Sequence, residues 1–249
     1  MRPQWVNVFK PLDEARLALR RRGVHGTGGR QVRRSLAQWA AVRLDAAALR
    51  RGSRHVERAD PVMARLIAEL GPCRSRVRRQ GTAFAYLARA ILAQQISVAA
   101  ARTIAGRLTA RFDGALSPED VLSASESELR GLGLSRQKTS YLKDLARHTL
   151  DGLPLARLGR LSDEEVIETL TVVKGIGRWT AEMYLMFRLG RPDVLPVDDL
   201  ALRTAMKRAY RMRASPKPER MQRIAAPWRP HRTVACWYLW QSLDVRPPA

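Results

Sequence analysis

The chain has 249 residues, of which 45% are apolar and 27% charged, a balance that excludes wholesale disorder and a mini-protein dependent on cross-links. Lys and Arg number 45 against 23 Asp and Glu, and a net charge of +22 would only repel itself without a polyanionic partner, so nucleic acid is the first partner predicted. Two cysteines, Cys73 and Cys236, exclude a disulfide framework or a cysteine-built metal cluster; with no apolar run of about 18 residues and no signal-peptide core, a reduced, cytoplasmic and nucleoid-associated protein is expected, with no membrane contact.

Residues 1–55 form a zone of their own composition, with Arg20 to Arg22, a glycine-rich stretch from Gly23 to Gly29 and a basic run from Gln31 to Arg51. Leu36, Trp39, Val42, Leu44 and Leu49 could belong to one or two amphipathic helices there; a solvated basic tail, or translation from upstream of a later start, is an equal reading. The sequence thus predicts a basic N-terminal extension over 1–55, helical or partly disordered, ahead of a folded domain over 56–249.

From Asp60 onward the apolar period is helical. Phe84, Leu87, Ile91 and Leu92 form one stripe; Val98, Ala101, Ile104, Leu108 and Phe112 form the next, and Gln94 to Ser97 join them. Ser117 with Asp120, Ser125 with Glu128, Ser135 before Arg136 and Ser162 with Glu165 each place an N-cap ahead of an apolar run. Gly152 and Gly190 fall where helices should stop. No short segment alternates polar and apolar residues between turns, so an all-α fold is predicted.

The most informative stretch runs from Leu170 to Ala181. A helix ending near Thr171, the turn Lys174-Gly175-Ile176-Gly177 and a new helix from Arg178 through Trp179 and Thr180 make a hairpin whose second helix offers backbone N–H groups. Such a pole attracts a phosphate without regard to base sequence. Gly175 and Gly177 would let a nucleic-acid backbone approach, and Lys174 and Arg178 add charge. Taken alone, a Gly-x-Gly turn is more often a plain connection between helices; the surrounding motifs reverse that.

About twenty residues downstream stands Pro196-Val197-Asp198-Asp199-Leu200. With this addition the chain resembles the helix-hairpin-helix DNA glycosylases. The resemblance extends over Ala93-Gln94-Gln95-Ile96-Ser97, Gly133-Leu134-Ser135-Arg136-Gln137-Lys138, Glu182-Met183, Arg191-Pro192-Asp193-Val194, Pro227-Trp228-Arg229-Pro230 and Trp237-Tyr238-Leu239-Trp240. It covers about residues 58 to 244 and points to the DNA-3-methyladenine glycosylase II branch.

The resemblance implies a two-lobed helical domain with a cleft between the lobes, lacking the β-rich N-terminal subdomain of larger relatives. It implies a monomer that grips damaged duplex DNA by its backbone, flips an alkylated purine out of the stack and hydrolyses its N-glycosidic bond. The position of the Schiff-base lysine in strand-nicking members is Trp179 here, so no lyase step is expected, and Cys236 alone cannot supply an iron-sulfur cluster. No cofactor is expected. The Pro-x-Asp pattern favours Asp198 as the catalytic carboxylate, with Asp199 as second choice, and the plain alternative is that such an aspartate only caps the helix from Leu200. Trp179 and Trp240 match aromatic base-pocket positions suited to a cationic base, and Met183 replaces a pocket tyrosine of some relatives. Gln94, Gln95, Ile96 and Ser97 match the turn that probes the vacated gap, and the carbonyls of Thr171, Val173 and Ile176 match a monovalent-cation site against the DNA phosphate. Trp228, Trp237, His148 and His231 read as packing or surface residues. A glycosylase for deaminated or mismatched bases, and a non-catalytic damage-binding protein, are the competing readings.

Overall fold

A computed structural model describes residues 44–112, 114 and 116–244, and every regular element among them is helical. Helix α1 (Ala46–Ala59) opens on Asp45, whose side chain accepts the Ala48 N–H at 2.7 Å. Helix α2 (Pro61–Leu70) follows, with proline at the first turn and Asp60 capping both Val62 and Met63. Helix α1 crosses the boundary expected at residues 55 and 56. Leu44, Ala48, Leu49 and Val56 are buried in the common core, and the Leu44 N–H donates to the Gly190 carbonyl. The folded domain therefore includes Leu44 onward, because the arginines of α1 lie beside a buried stripe and do not mark a tail. Leu36, Trp39 and Val42 lie outside the described residues.

Next come α3 (Ala83–Ala93), α4 (Val98–Arg111), α5 (Pro118–Ser123), α6 (Glu126–Gly131) and α7 (Arg136–Leu150), then a 3-10 turn over Leu155–Arg160. The expected caps are in place. Ser117 and Ser162 form reciprocal capping boxes with Asp120 and Glu165, and Ser125 and Ser135 accept the N–H groups of Glu128 and Lys138. Each such cap is worth about 1 kcal/mol. Phe84, Leu87, Ile91 and Leu92 are all buried, as their spacing predicts, whereas on α4 burial is complete only at Ala101 and Leu108.

Helices α8 (Asp163–Thr171) and α9 (Arg178–Tyr184) form the hairpin. The latter widens into a π turn over Leu185–Leu189 that ends at Gly190 in the left-handed conformation. Helices α10 (Leu200–Ala209), α11 (Pro218–Ala225) and α12 (Arg232–Ser242) complete the described chain.

Packing divides these elements into two groups. In one, α3 lies against α4 and α7, and α7 also covers α5 and α6. In the other, α12 packs on α10, α2 and α1, so both ends of the described chain meet. Asp60 locks this second group. Its buried carboxylate accepts the Tyr210 hydroxyl, the Trp228 indole N–H at 3.0 Å and the two backbone N–H groups of α2. The hairpin belongs to neither group and bridges them.

Candidate active site

The hairpin is held from the first group by three polar contacts. The Asp144 carboxylate of α7 accepts the Lys174 N–H at 2.9 Å, the Gln94 side chain donates to the Gly175 carbonyl at 2.7 Å, and the Tyr86 hydroxyl donates to the Met183 carbonyl at 3.5 Å. Gln94 thus ties its own turn to the hairpin. At the tip of that turn Gln95 is exposed with φ +57°, a backbone region most side chains avoid. Ile96 is half-buried, and Ser97 caps α4 through the Ala100 N–H.

Within the hairpin the two glycines differ. Gly175 has φ +83°, and a Cβ there would meet the Tyr141 ring at 2.1 Å, so the fold itself demands glycine. At Gly177 nothing lies within 4 Å, and that side stays open to an approaching backbone. No side chain caps α9, whose first helical bond runs from the Ala181 N–H to the Gly177 carbonyl. The residues of this turn differ in exposure and pairing. Ile176 and Thr180 are buried, which leaves only their backbone for a DNA phosphate. The Arg178 guanidinium is clamped by Glu164 at 2.8 and 3.0 Å and approached by Glu182 at 3.3 Å, so its charge is already matched. Lys174 remains exposed at the turn. Of the three carbonyls expected to face a cation, that of Val173 closes the turn by accepting the Ile176 N–H at 3.1 Å.

The tandem aspartates separate sharply. Asp198 keeps 57% of its side chain exposed and pairs with Arg203 at 3.1 Å. Asp199 is 4% exposed. Its Oδ1 accepts the Leu202 N–H at 2.5 Å and the Trp240 indole N–H at 3.0 Å, while its Oδ2 accepts the Trp179 indole N–H at 2.7 Å. Asp199 is thus the residue that caps the helix from Leu200, and Asp198 is the one left open to solvent. The residue that caps α10 is the one that faces the aromatic cluster, because an N-cap must turn its carboxylate back over its own helix. One carboxylate thereby joins the hairpin (Trp179), α10 and α12 (Trp240).

Trp240 and Met183 are buried and Trp179 is half-exposed; Phe187 lies 6.1 Å from the Trp240 ring. Trp228 is core, and Trp237 stacks edge-on against Tyr238. His148 sits 3.6 Å from Asp144, and His231 packs against His55. Neither cysteine is poised for chemistry, since burial pushes the Cys73 thiol up to about 12 and that of Cys236 well above its ordinary value.

A carboxyl that sequence reasoning missed is Glu182. It is 4% exposed on α9, and its Oε2 has no hydrogen-bond partner among the described residues. Burial raises its pKa to about 7, with Arg178 opposing and the Asp198 charge reinforcing the rise. The signal was present, since Ala181, Met183, Tyr184, Leu185 and Met186 around it are all buried and leave no solvent face for an acid.

Comparison with known proteins places this arrangement. A family model described as "HhH-GPD superfamily base excision DNA repair protein" matches residues 88–230. The "Alkylbase DNA glycosidase-like protein mag2" of Schizosaccharomyces pombe is 30% identical over 77% of this chain and 92% of its own length. "DNA-3-methyladenine glycosylase 1" of the same yeast is 35% identical over 72% of this chain and 80% of its own. A solved structure of the S. pombe 3-methyladenine DNA glycosylase Mag1 in complex with abasic DNA superposes with a TM-score of 0.70 at 33% identity, covering 80% of this chain and 99% of that one. Helical architecture, hairpin and sequence agree, and the chain belongs to the HhH-GPD superfamily of base excision DNA repair proteins.

Proposed function

We propose that the protein is a monofunctional DNA glycosylase that hydrolyses the N-glycosidic bond of alkylated purines, of the 3-methyladenine and 7-methylguanine type, flipped out of duplex DNA. The observation that carries this reading is Asp199: a buried carboxylate oriented by three N–H donors, two of them from tryptophans of different elements. Cleavage of the bond leaves positive charge on the sugar, and a fixed carboxylate in a water-poor site favours that charge. The donors keep the carboxylate from turning away. The half-exposed face of Trp179 suits an N-alkylated purine, whose positive charge is attracted to an electron-rich ring by about 0.5 to 2 kcal/mol.

The same charge makes the base a good leaving group, so the reaction assigned here requires neither a metal ion nor a redox cofactor. Trp179 has no amine to attack the sugar, which favours hydrolysis over strand nicking. The relatives named for 3-methyladenine and the complex of Mag1 with abasic DNA support the substrate class and a DNA partner. A panel of duplexes, each with one defined lesion, tests the assignment. Release of 3-methyladenine or 7-methylguanine at least tenfold faster than hypoxanthine or uracil is expected. The opposite order would replace it with a glycosylase for deaminated bases.

A further inference from the structure

Helix α1 carries Arg51, Arg54 and Arg58 at i, i+3 and i+7, on one face, with His55 between them. The four line a cleft of about 330 Å³. All three arginines are exposed, and none is ion-paired among the described residues. Arg232 and Arg229, by contrast, both hold Asp193, at 2.7 and 3.3 Å. Glu57, the one carboxylate within α1, stands three residues from Arg54 at the edge of this face and makes no ion pair among the described residues.

The face is also rigidly mounted. Gly52 lets α1 close on α12, since a Cβ there would meet Val234 at 2.9 Å. His55 bonds the Pro227 carbonyl at 3.1 Å and packs edge-on against His231, with ring centres 5.3 Å apart. Exposed, unpaired guanidinium groups spaced along one face of a firmly held helix match a row of phosphates. His231, which packs on His55, is the N-cap of α12 and precedes Trp240 by nine residues, so His55 lies about 14 Å along that helix from the Trp240–Asp199 contact. Phosphates of one strand advance about 3.4 Å each along the duplex axis, which makes this a separation of a few base pairs.

We propose that the Arg51, Arg54 and Arg58 face of α1 is a second phosphate-binding surface, gripping the backbone of duplex DNA a few base pairs from the nucleotide held at Asp199. This rests on the glycosylase reading for the place of the lesion. It separates the clamp on flanking DNA from the hairpin that serves the lesion itself.

The test compares the full-length protein with the triple variant Arg51→Gln, Arg54→Gln, Arg58→Gln. Both are titrated onto three 25-bp duplexes whose abasic site is central, or three base pairs from one end or the other. On the central duplex the variant should lower the slope of log K against log salt by about 2 to 3 and raise Kd at least tenfold at 0.1 M salt. On one end-placed duplex, where the flank is missing, the two proteins should bind alike. Melting temperature and single-turnover base release at saturating protein should not change. A slope and Kd within twofold of wild type, or equal loss on all three duplexes, would overturn the proposal. Absence of base release by both proteins would sink the glycosylase reading, while the binding curves would still decide the clamp.

Discussion

Replacement of Glu182 by Gln tests the electrostatics of α9 in isolation. In the folded protein burial raises the carboxyl from 4.5 to about 7. Keeping it ionised in that site at pH 8 costs about 3 kcal/mol, at about 1.4 kcal/mol per pH unit between the folded and unfolded values. Below pH about 4.5 both states are protonated and the cost vanishes. Between 4.5 and 7 the unfolded chain releases its proton while the folded one retains it, so stability falls as pH rises, and above 7 the loss is complete. Gln copies the protonated acid in shape and can still accept from Arg178, which stays fixed by Glu164. Urea unfolding of both proteins from pH 4 to pH 8.5 should therefore show near-equal stability at pH 4 and a variant more stable by about 2 to 3 kcal/mol at pH 8. A difference that does not vary with pH, or a variant weaker at pH 8, would refute the burial argument.

The two hairpin glycines should behave differently. Gly175→Ala meets the Tyr141 ring and should lower the melting temperature as well as DNA affinity, whereas Gly177→Ala, with open space around it, should melt like wild type and lose DNA affinity alone. Asp60→Ala leaves the Trp228 indole, the Tyr210 hydroxyl and the α2 N–H groups without an acceptor, and should cost about 3 to 5 kcal/mol in urea unfolding. A chain begun at Val56 removes most of α1 and exposes the surface buried by Leu44, Ala48 and Leu49; it should fail to unfold cooperatively, whereas one begun at residue 43 should do so.

Local chemistry explains what was legible in the sequence. Serines followed three residues later by an acid gave the starts of α5 and α8, Gly190 marked the end of the π turn, and the Gly-x-Gly hairpin lies where its residues predict. Contacts between distant segments were not legible: nothing in the chain announces that Asp144 holds Lys174, or that Gln94 reaches Gly175. Which of the tandem aspartates caps was within reach: the helix from Leu200 needs its cap at the preceding residue, and that rule alone turns Asp199 inward and leaves Asp198 exposed. The buried stripe of α1 follows ordinary helical periodicity, and it selects the amphipathic-helix reading of Leu44 and Leu49 over the solvated tail that the arginines also allowed.

The central claim is that the Asp199 carboxylate, oriented by Trp179 and Trp240, promotes base release. Single-turnover release of 7-methylguanine from methylated duplex should be measured for wild type, Asp199→Asn and Asp198→Asn, each first shown to bind abasic duplex. Asn still caps a helix well, so Asp199→Asn should fold and bind yet react at least about 100-fold more slowly, while Asp198→Asn, which loses only an exposed ion pair, should stay within about threefold of wild type. Wild-type rates from Asp199→Asn, or the large loss at Asp198 instead, would contradict the account.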